Sequence, residues 1–492
     1  MSMSTTTPVH DGLILSPEQT LALDQFNLGH NVFITGPGGT GKTELIRRIV
    51  KSCAVQKKTV QVTALTGTAA ILLLCKAKTI HSWAGIGICK GDVEDIVSRV
   101  VFDRNKTKRW VDTDVLIIDE VSMMSKKIFN VLDLIGRQAR KRKDVPFGGL
   151  QIVFSGDFFQ LPPIGERGEP DTAAFCFESE RWLTTFQVVV ELKQMFRQTD
   201  TAFAKILNQI RIGQLKRSSI DLLNAQLNKP MSVGVIVPPI LLPIRNEVDA
   251  INAAELAKLT TTAHVFTAKK KIAVETSTSA KAKRQKPTSD EDYAYLLKNI
   301  PAEETLVLKV GCQVMCVANV DMESDSPLVN GSQGIVTAFE LNGLPIVLFN
   351  NGRSGVVHYH TWASEKNSSI GVTQIPLCLA WAITIHKSQG VTLEAAQIDV
   401  GNAVFEAGQT YVALSRVKCL DGLYLLSFDP NKIKINPKVK AYYASLQLKG
   451  VEVDKMPPLP DAATLSTTVA KMNMSCVKTL DDVVDMELLY GK

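Results

Sequence analysis

The clearest chemical signal in the sequence is the glycine-rich segment GPGGTGKT at residues 36–43, which matches the phosphate-loop pattern G-x-x-x-x-G-K-[ST]. It follows the apolar run Val32 to Ile34 and precedes a helical pattern. Glycines let backbone N–H groups converge on phosphate oxygens, while Lys42 neutralises the β and γ phosphates and Thr43 supplies an oxygen to Mg²⁺. The segment predicts a site for a nucleoside triphosphate and magnesium. The residues assigned to it are Gly36, Gly38, Gly39, Thr40, Gly41, Lys42 and Thr43.

Two acidic residues end a second apolar run. The run is Val115 to Ile118, which reads as a buried strand, and Asp119 and Glu120 follow it. A carboxylate that leaves a strand beside a phosphate loop can bind Mg²⁺, and a neighbouring one can orient and deprotonate an attacking water. We expect Asp119 to bind the metal and Glu120 to act as the general base. A small-molecule kinase would have less need of the second acid, and an acid pair alone would suit a solvated strand end.

A third apolar run, Ile152 to Ser155, leads into the sequence GDFFQLPP at residues 156–163. Gln160 in this sequence can hydrogen-bond a γ-phosphate or a water molecule and report the nucleotide state to the following loop. A turn that ends at the prolines is the alternative interpretation. Phe158 and Phe159 beside it, with Trp83 and Trp362 elsewhere, can offer base-stacking surfaces, although core packing explains each aromatic at least as well.

Strands must alternate with helices to position these groups. Short apolar runs recur through the first two hundred residues with helical patterns between them, which indicates βαβ units and a mostly parallel sheet. The predicted strands are Val32–Ile34, Val60–Val62, Val115–Ile118, Ile152–Phe154 and Val188–Val190. A similar rhythm returns at Ile240–Pro243, Gln397–Val400 and Leu423–Leu426. The sequence therefore predicts an α/β fold with two parallel-sheet lobes.

An insertion interrupts the second lobe. Short β patterns separated by three Asn-Gly turns run from about residue 306 to 373 and predict a small antiparallel β-barrel. The expected domains are a first lobe at 1–200, a second lobe at 201–305 and 374–445, the barrel at 306–373 and a C-terminal extension at 446–492. Residues 267–292, rich in Lys, Ser, Thr and Ala, are expected to form a mobile loop.

Composition limits the class of protein. The 492 residues are 45% hydrophobic and carry 55 Lys and Arg against 49 Asp and Glu, a formal net charge of +6, which excludes collagen-like, mostly disordered and disulfide-scaffold proteins. The charge permits a nucleic-acid partner without requiring one. The 9 cysteines are scattered and lack zinc-ligand spacing, so we expect reduced thiols and an intracellular, reducing location. No apolar run approaches the roughly 20 residues of a membrane span.

Taken together, these stretches resemble the Pif (petite integration frequency) helicases, a superfamily-one group related to RecD that moves 5′ to 3′ on single-stranded DNA. The resemblance extends through nearly all of residues 13–443. Besides the phosphate loop and the acidic strand, it rests on LSPEQ (15–19), TALTGTAA (63–70), TIHSW (79–83), LKQMFRQ (192–198), LVNGSQG (328–334), LAWAITIHKSQG (379–390) and YVALSR (411–416).

The resemblance implies roles for further residues. It implies two RecA-like lobes with the barrel inserted in the second, an adenine contact at Gln19, and nucleotide contacts at Gln389 and Gly390. It places Arg197 and Arg416 at the γ-phosphate, where two long cations would clamp the transferring phosphoryl group, although either alone would suit a surface arginine. The residues expected to contact nucleic acid are Thr66, Gly67, Thr68, His81, Ser82, Phe158, His386, Lys387 and Ser388. The last three read as a helix start that can donate to phosphates.

The expected function is an ATP-dependent DNA helicase that unwinds duplexes or structured DNA, such as forks, hybrids and quadruplexes, in replication, repair, recombination or telomere maintenance. A wedge within Gly85 to Arg109 would split the duplex. We expect single-stranded and tailed or forked DNA as partners, a monomer in solution, and a nuclear or mitochondrial location in a eukaryote or a cytoplasmic one otherwise. An RNA helicase, a translocase that does not unwind, and a nucleotide-dependent scaffold stay open as alternatives.

Overall fold

The computed structural model describes residues 14–73, 75, 77–87, 89–198, 200–231, 237–272, 293–294, 296–297, 300–320, 328–363 and 370–449. The chain forms two compact units, residues 1–440 and 441–492, and the described residues of the second unit, 441–449, are helical. Most of the expected mobile loop (273–292 of 267–292) and the tail from residue 450 lie outside the described residues. No helix in the described parts of the chain is both long and apolar enough to cross a membrane.

The first lobe consists of a parallel sheet and the helices around it. Its strands are β1 (Val32–Thr35), β2 (Val60–Ala64), β3 (Lys78–Thr79), β4 (Val115–Asp119), β5 (Gln151–Gly156) and β6 (Val188–Glu191). Its helices are α1 (Pro17–Asn27), α2 (Lys42–Val55), α3 (Gly67–Leu72), α4 (Ile80–Trp83), α5 (Val93–Val101), α6 (Arg104–Asp112), α7 (Lys126–Ala139), α8 (Pro170–Ala173) and α9 (Trp182–Thr185). Each strand predicted in this region lies within one of these strands.

The order of the first sheet brings the chemical segments together. Among the described residues, the strands are ordered β3-β2-β4-β5-β1-β6, and all of the pairings are parallel. The carboxyl ends of parallel strands meet at one edge of a sheet, where ligands usually bind. The phosphate loop after β1, the acids at the end of β4 and the segment after β5 therefore lie side by side.

Both faces of this sheet are buried, as parallel sheets require. Ile34 and Ile117 join a core cluster with Leu45 and Ile49 of α2, whose positions four residues apart share one helix face. On the opposite face, Phe33 packs edge-on against Trp182 with ring centroids 5.3 Å apart. Apolar burial on both faces fixes the strands and, through them, the loops at their ends.

The second lobe has its own parallel sheet. Its strands are β7 (Ile240–Leu242), β18 (Ala382–Thr384), β19 (Ala396–Val400) and β20 (Leu423–Phe428), which in the described residues are ordered β18-β7-β19-β20. The remaining helices are α10 (Thr201–Arg211), α11 (Arg217–Asn224), α12 (Arg245–Lys258), α13 (Gln409–Leu414) and α14 (Pro437–Lys449). Phe203 and Ile210 of α10 share a core cluster with Leu241 and Ile398 of the sheet. The predicted α/β fold with two parallel sheets is confirmed.

The inserted region is antiparallel. Its strands are β8 (His264–Thr267), β9 (Lys269–Ile272), β10 (Thr305–Leu308), β11 (Gln313–Cys316), β12 (Gln333–Phe339), β13 (Pro345–Phe349), β14 (Ser354–Val356), β15 (His360–Ala363), β16 (Ile370–Gln374) and β17 (Leu377–Leu379). Short 3₁₀ turns elsewhere span Val121–Met123, Pro146–Gly149, Cys176–Glu178, Leu420–Gly422 and Pro430–Lys432. In the described residues the insertion forms sheets ordered β14-β13-β12-β11-β17, β15-β16-β9 and β10-β8.

The inserted sheets extend beyond the expected boundaries of 306–373. β9 pairs with β16 through Lys271 and Gly371, β8 pairs with β10, and β17 pairs with β11. Local patterns missed β8, β9 and β17 because antiparallel partners that lie dozens of residues away in sequence carry no short-range signal of their pairing. Cys312 and Cys316 are packing residues here, since both join the buried cluster of this region.

Candidate nucleotide site and nucleic-acid interface

The phosphate loop has the backbone of an anion cradle. Gly36, Gly39 and Gly41 have φ angles of 138°, 87° and 78°, which residues with a side chain rarely adopt. A Cβ added at Gly36 would lie 2.4 Å from the carbonyl oxygen of Leu192, so the loop also needs glycine there for close packing on the segment after β6. The Lys42 ammonium donates to the carbonyl oxygens of Gly36 at 2.7 Å and Pro37 at 2.9 Å. The carbonyl oxygens of the loop therefore surround the ammonium group of Lys42.

A cavity of about 460 Å³ opens beside the loop. It is lined by residues of both lobes: Ile14, Leu15, Gln19, Gly38, Gly39, Gly41, Lys42, Thr43, Glu44, Arg47, Ala69, Leu73, Asp119, Glu120, Gln160, Phe196, Arg197, Gly390 and Arg416. Most of the residues assigned to the nucleotide from the sequence are in this set. The structure thus brings together, in one cavity, candidate nucleotide residues from separate segments of the sequence.

Burial dominates the electrostatics of the cavity. It lowers the pKa of Lys42, although Asp157, Glu120 and Asp119 oppose that shift. Burial also raises the pKa of Asp119, and burial followed by the Asp119 charge raises the pKa of Glu120. Groups so placed interact more strongly with charge than they would in water, because the surroundings screen them less. A phosphate chain and a cation would complete this set of one ammonium and two carboxyls.

Gln19 lies at the start of α1, where Ser16 caps the helix. The Gln19 side-chain oxygen accepts from the Ser16 backbone N–H at 2.9 Å, and its amide donates to the Thr40 carbonyl oxygen at 3.2 Å. The first bond belongs to the capping box of the helix, and the second ties the helix to the phosphate loop. Gln19 also lines the cavity, and its contact with adenine stays a prediction.

Two arginines converge on the cavity from distant parts of the sequence. Arg197 follows β6 and donates to the carbonyl oxygen of Ser415 at 3.4 Å. Arg416 is 2% exposed and donates to the carbonyl oxygen of Val412 and the hydroxyl of Ser415, both at 2.7 Å. Burial and then the neighbouring Arg197 charge lower the pKa of Arg416. Both guanidinium groups are held by protein acceptors at the edge of the cavity, and their contact with a phosphate stays a prediction.

Three side chains from both lobes meet at the candidate general base. Gln389, from the second lobe, donates to Glu120 Oε2 at 3.0 Å and to Gln160 Oε1 at 3.5 Å. Glu120 has a left-handed backbone, with φ 56° and ψ 39°. Such a conformation is uncommon for a residue with a side chain and is concentrated at functional sites. Gln389 itself contacts these two side chains, whereas its neighbour Gly390 lines the cavity.

Sequence reasoning gave no role to Tyr411. The Tyr411 hydroxyl accepts from the backbone N–H of Gly38 in the phosphate loop at 2.8 Å, although the two residues belong to different lobes. Burial raises the pKa of this phenol, which keeps the hydroxyl neutral. Tyr411 stands one helical turn before Ser415, on the face of α13 that meets the loop. The four-residue spacing between Tyr411 and Ser415 was the sequence signal that could have indicated this contact.

A buried ion pair was also missed. Arg211, at the end of α10, donates to both carboxylate oxygens of Asp157 at 2.9 and 3.0 Å, and its guanidinium lies 4.7 Å from the ring centre of Phe159. Such two-pronged pairs are the strongest charged contacts in proteins. Asp157 directly follows β5, so its place after a buried strand was a signal comparable to that of Asp119. The pair ties α10 to the segment that carries Gln160.

The first-lobe residues expected to contact nucleic acid lie near α3 and α4. The Thr66 hydroxyl accepts from the Ala69 N–H at 3.1 Å, and Gly67 begins α3. His81 and Ser82 are partly exposed in α4. Burial lowers the pKa of His81 to about 4, so His81 is neutral at physiological pH and would donate a hydrogen bond rather than carry charge. The side chain of Thr68 lies outside the described residues.

The structure corrects the expectation that Phe158 stacks on a base. Phe158 is 2% exposed, and its ring packs against Phe33 and Phe177 with centroids 5.3 and 4.8 Å apart. The reason is that Phe158 enters the aromatic core beneath the first sheet. Phe159 and Trp83 are also buried, the latter against Trp110. Core packing, the alternative weighed for each, describes all three, whereas Trp362 is partly buried beside His360.

The segment His386 to Ser388 was expected to begin a helix, and the structure corrects this. Residues 385–390 form a tight turn, which we call the second-lobe turn. Ser388 is 0% exposed, and its hydroxyl donates to the Ile385 carbonyl oxygen at 2.8 Å, so it shapes the turn rather than facing a ligand. Lys387 is exposed and His386 is partly exposed. These two remain available to phosphates.

Comparison with known proteins identifies the family. A sequence model of the family described as PIF1-like helicase matches residues 14–220, and one described as DNA helicase Pif1, 2B domain, matches residues 294–339. The Pif1 helicase from Candida albicans, known from a crystal structure, is 34% identical, with a TM-score of 0.72 over 88% of this chain and 100% of that one. The chain belongs to the PIF1-like helicase family. Membership confirms the expected resemblance and the RecA-like character of the two lobes.

Two further relatives agree with this membership. The ATP-dependent DNA helicase PIF1 of Xenopus laevis is 35% identical over 441 residues, which cover 88% of this chain and 64% of that protein. A Pif1 helicase from Bacteroides, crystallised in complex with ADP-AlF3 and ssDNA, is 29% identical, with a TM-score of 0.64 over 89% of this chain and 98% of that one. The chain thus spans 64% of the length of the Xenopus PIF1-like helicase.

Proposed function

We propose that this protein is an ATP-dependent DNA helicase that moves 5′ to 3′ on single-stranded DNA and unwinds duplex or structured DNA. The observation that carries the proposal is the cavity between the lobes, where Lys42 and Glu120 of the first lobe face Arg416 of the second. A site built from two lobes changes shape when its ligand changes. Relatives named as ATP-dependent DNA helicases, and one crystallised with ssDNA, support the choice of ligands.

ATP hydrolysis follows from the positions of the side chains. Lys42 and the loop N–H groups bind the phosphates, Glu120 takes a proton from the attacking water, and Gln160 orients that water. Arg197 and Arg416 stabilise the charge that develops on the γ-phosphoryl group. When the γ-phosphate leaves, both arginines lose the group that they contact. The lobes therefore separate after each cycle.

Magnesium fits the residues of the site. Thr43 and Asp119 both line the cavity and offer a hydroxyl and a carboxylate, the oxygen donors that Mg²⁺ prefers. No cluster of three or more metal-ligating side chains occurs in the described part of the chain. That finding agrees with the usual Mg²⁺ site of a nucleotide enzyme, where one or two protein oxygens combine with phosphates and water. The ion would neutralise phosphate charge there.

Single-stranded DNA would cross both lobes. His81 and Ser82 would contact it on the first lobe, and His386 and Lys387 on the second. Opening and closing of the cavity changes the distance between these two contact regions, which moves the strand. The roles in replication, repair, recombination or telomere maintenance, the monomeric state and an intracellular, reducing location belong to the same proposal, and the free cysteines of the described residues support the last.

The wedge that splits the duplex lies within residues 85–109. Helices α5 and α6 meet in a tight turn there, and Phe102 in that turn is 85% exposed. An exposed aromatic ring on a short helical hairpin can stack on the last base pair of a duplex. Trp110 at the base of the hairpin is buried against Trp83, which holds the hairpin on the lobe.

Unwinding assays test this function directly. The purified protein is incubated with ATP, magnesium and a duplex that carries either a 5′ or a 3′ single-stranded tail, and Lys42→Ala serves as the control. We expect strand separation only with the 5′ tail and only with intact Lys42. Opening of neither duplex, with continued DNA-dependent ATP turnover, would indicate a translocase that does not unwind. Stimulation of ATP turnover by RNA in preference to DNA would indicate an RNA helicase.

A further inference from the structure

The second-lobe turn connects the expected DNA contacts with the candidate general base. Lys387 is exposed on this turn, and Gln389 lies two residues later. Gln389 reaches across to the first lobe, where its amide donates to Glu120 Oε2 at 3.0 Å and to Gln160 Oε1 at 3.5 Å. A single short segment therefore presents one side chain to the surface and another to the site of hydrolysis.

The contact at Glu120 affects the two groups that must handle the attacking water. Glu120 stands in a left-handed backbone conformation, which is concentrated at functional sites. The amide of Gln389 takes one of its oxygens as acceptor, and the same amide faces the side-chain oxygen of Gln160. A water molecule that approaches Glu120 Oε2 or Gln160 Oε1 therefore competes with Gln389 for that oxygen.

The turn is held together by hydrogen bonds within it and to Thr384 at the end of β18. The Lys387 N–H donates to the Thr384 hydroxyl at 3.1 Å, and the Ser388 hydroxyl donates to the Ile385 carbonyl oxygen at 2.8 Å. Arg416 donates to the Ser388 carbonyl oxygen at 3.4 Å. A displacement of Lys387 would therefore also shift Gln389 and the Ser388 carbonyl oxygen that Arg416 contacts.

We infer that Gln389 is a positioning residue that holds Glu120 and Gln160 in an unproductive arrangement until DNA displaces the second-lobe turn. DNA phosphates that bind His386 and Lys387 shift the turn, withdraw the Gln389 amide and leave the carboxylate of Glu120 free for water. This inference rests on the proposed function and adds to it the physical link by which DNA controls ATP hydrolysis. It assigns Gln389 to regulation rather than to the nucleotide.

Two variants test the link through the steady-state ATPase rate with and without saturating single-stranded DNA. Gln389→Ala removes the amide, and Gln389→Asn withdraws it by one methylene while keeping its polarity. In both we expect the DNA-free rate to rise about five-fold or more, the range typical of coupled sites, while the DNA-saturated rate stays within about two-fold of wild type. Thr392→Ala, an exposed position just after the turn, is the matched control and should change neither rate.

Binding measurements separate regulation from structure. Equilibrium affinities for ADP and for a fluorescent single-stranded oligonucleotide, with the thermal unfolding midpoint, should match wild type in both variants. Weaker ADP binding would overturn the inference, because Gln389 would then contact the nucleotide. An unchanged stimulation ratio in variants of a DNA-stimulated wild type would also overturn it. A wild type that neither responds to DNA nor unwinds it would instead overturn the proposed function.

Discussion

In the first lobe, the chemical groups stand at the ends of adjacent central strands, with Lys42 after β1, Asp119 at the end of β4 and Gln160 after β5. In the second lobe, Gln389 and Arg416 stand on a tight turn and after the short helix α13. The first set is fixed by a sheet buried on both faces. The second set depends on hydrogen bonds of a few residues, which a ligand can rearrange. We infer from the difference that the first lobe supplies the groups that act on the water and the metal, whereas the second lobe supplies Arg416 and controls the base through Gln389.

The largest expected effect comes from the first lobe. Glu120→Gln keeps the shape of the side chain and removes the proton acceptor, so we expect the DNA-stimulated kcat to fall about 10³-fold. ADP affinity, measured by equilibrium titration, should stay within about two-fold. Full turnover in this variant would contradict the role of the first lobe, because the hydrolytic base would then lie elsewhere.

Arg416 tests the contribution of the second lobe. Arg416→Ala removes a cation from the developing phosphoryl charge, and we expect kcat to fall about 10²-fold. Because Arg416 is buried, Arg416→Lys accompanies it to keep the charge while losing the planar, forked donor. Steady-state kinetics on both variants should show the loss in kcat rather than in KM. A loss confined to KM would assign Arg416 to ground-state binding instead.

Tyr411 provides a milder test of contact between the lobes. Tyr411→Phe removes one hydrogen bond to the Gly38 N–H and keeps the ring. A bond of this kind contributes about 1 kcal/mol, so we expect about a five-fold fall in DNA-stimulated kcat. Tyr359→Phe, which alters a more exposed tyrosine, is the control and should match wild type. Equal rates for the two variants would show that the bond across the lobes is dispensable.

The smallest effect concerns pH. The pKa of His81 is about 4 in the folded chain and about 6.5 for an ordinary histidine. Between these two pH values His81 is protonated in the unfolded chain and neutral in the folded chain. The free energy of unfolding therefore falls as the pH drops from 6.5 to 4. Because His81 is partly exposed, we expect a loss of about 1 to 2 kcal/mol. Thermal unfolding of His81→Gln should lack this component, and an identical pH profile would contradict the burial argument.

The sequence could indicate many of the residues that line the cavity because their signals are local. A phosphate loop, or an acid pair after a strand, is contained in fewer than ten residues, and each strand end was readable from its apolar run. The prediction that Phe158 stacks on a base was wrong, because the sequence after a strand does not show whether an aromatic side chain enters the core or faces solvent. The prediction of a helix start at Ser388 was wrong, because the sequences of a turn and of a helix start are similar over three residues.

Contacts between distant segments had no such signal. Tyr411 meets Gly38, and Arg211 meets Asp157, only after both lobes have folded and come together. The inserted sheets likewise recruited β8 and β9 from before the expected boundary, since pairing of antiparallel strands depends on the whole region. What the sequence missed was therefore mainly the pairing of distant segments rather than the residues that line the cavity.

The most direct test of the account is the steady-state ATPase rate of the intact protein with and without saturating single-stranded DNA. If the second lobe controls the hydrolytic groups of the first, the rate should rise about ten-fold or more when DNA is added, within the range of coupling between sites. The rise should disappear with Lys42→Ala. An ATPase rate that is the same with and without DNA would contradict this control, because ATP hydrolysis in the cavity would then not depend on DNA.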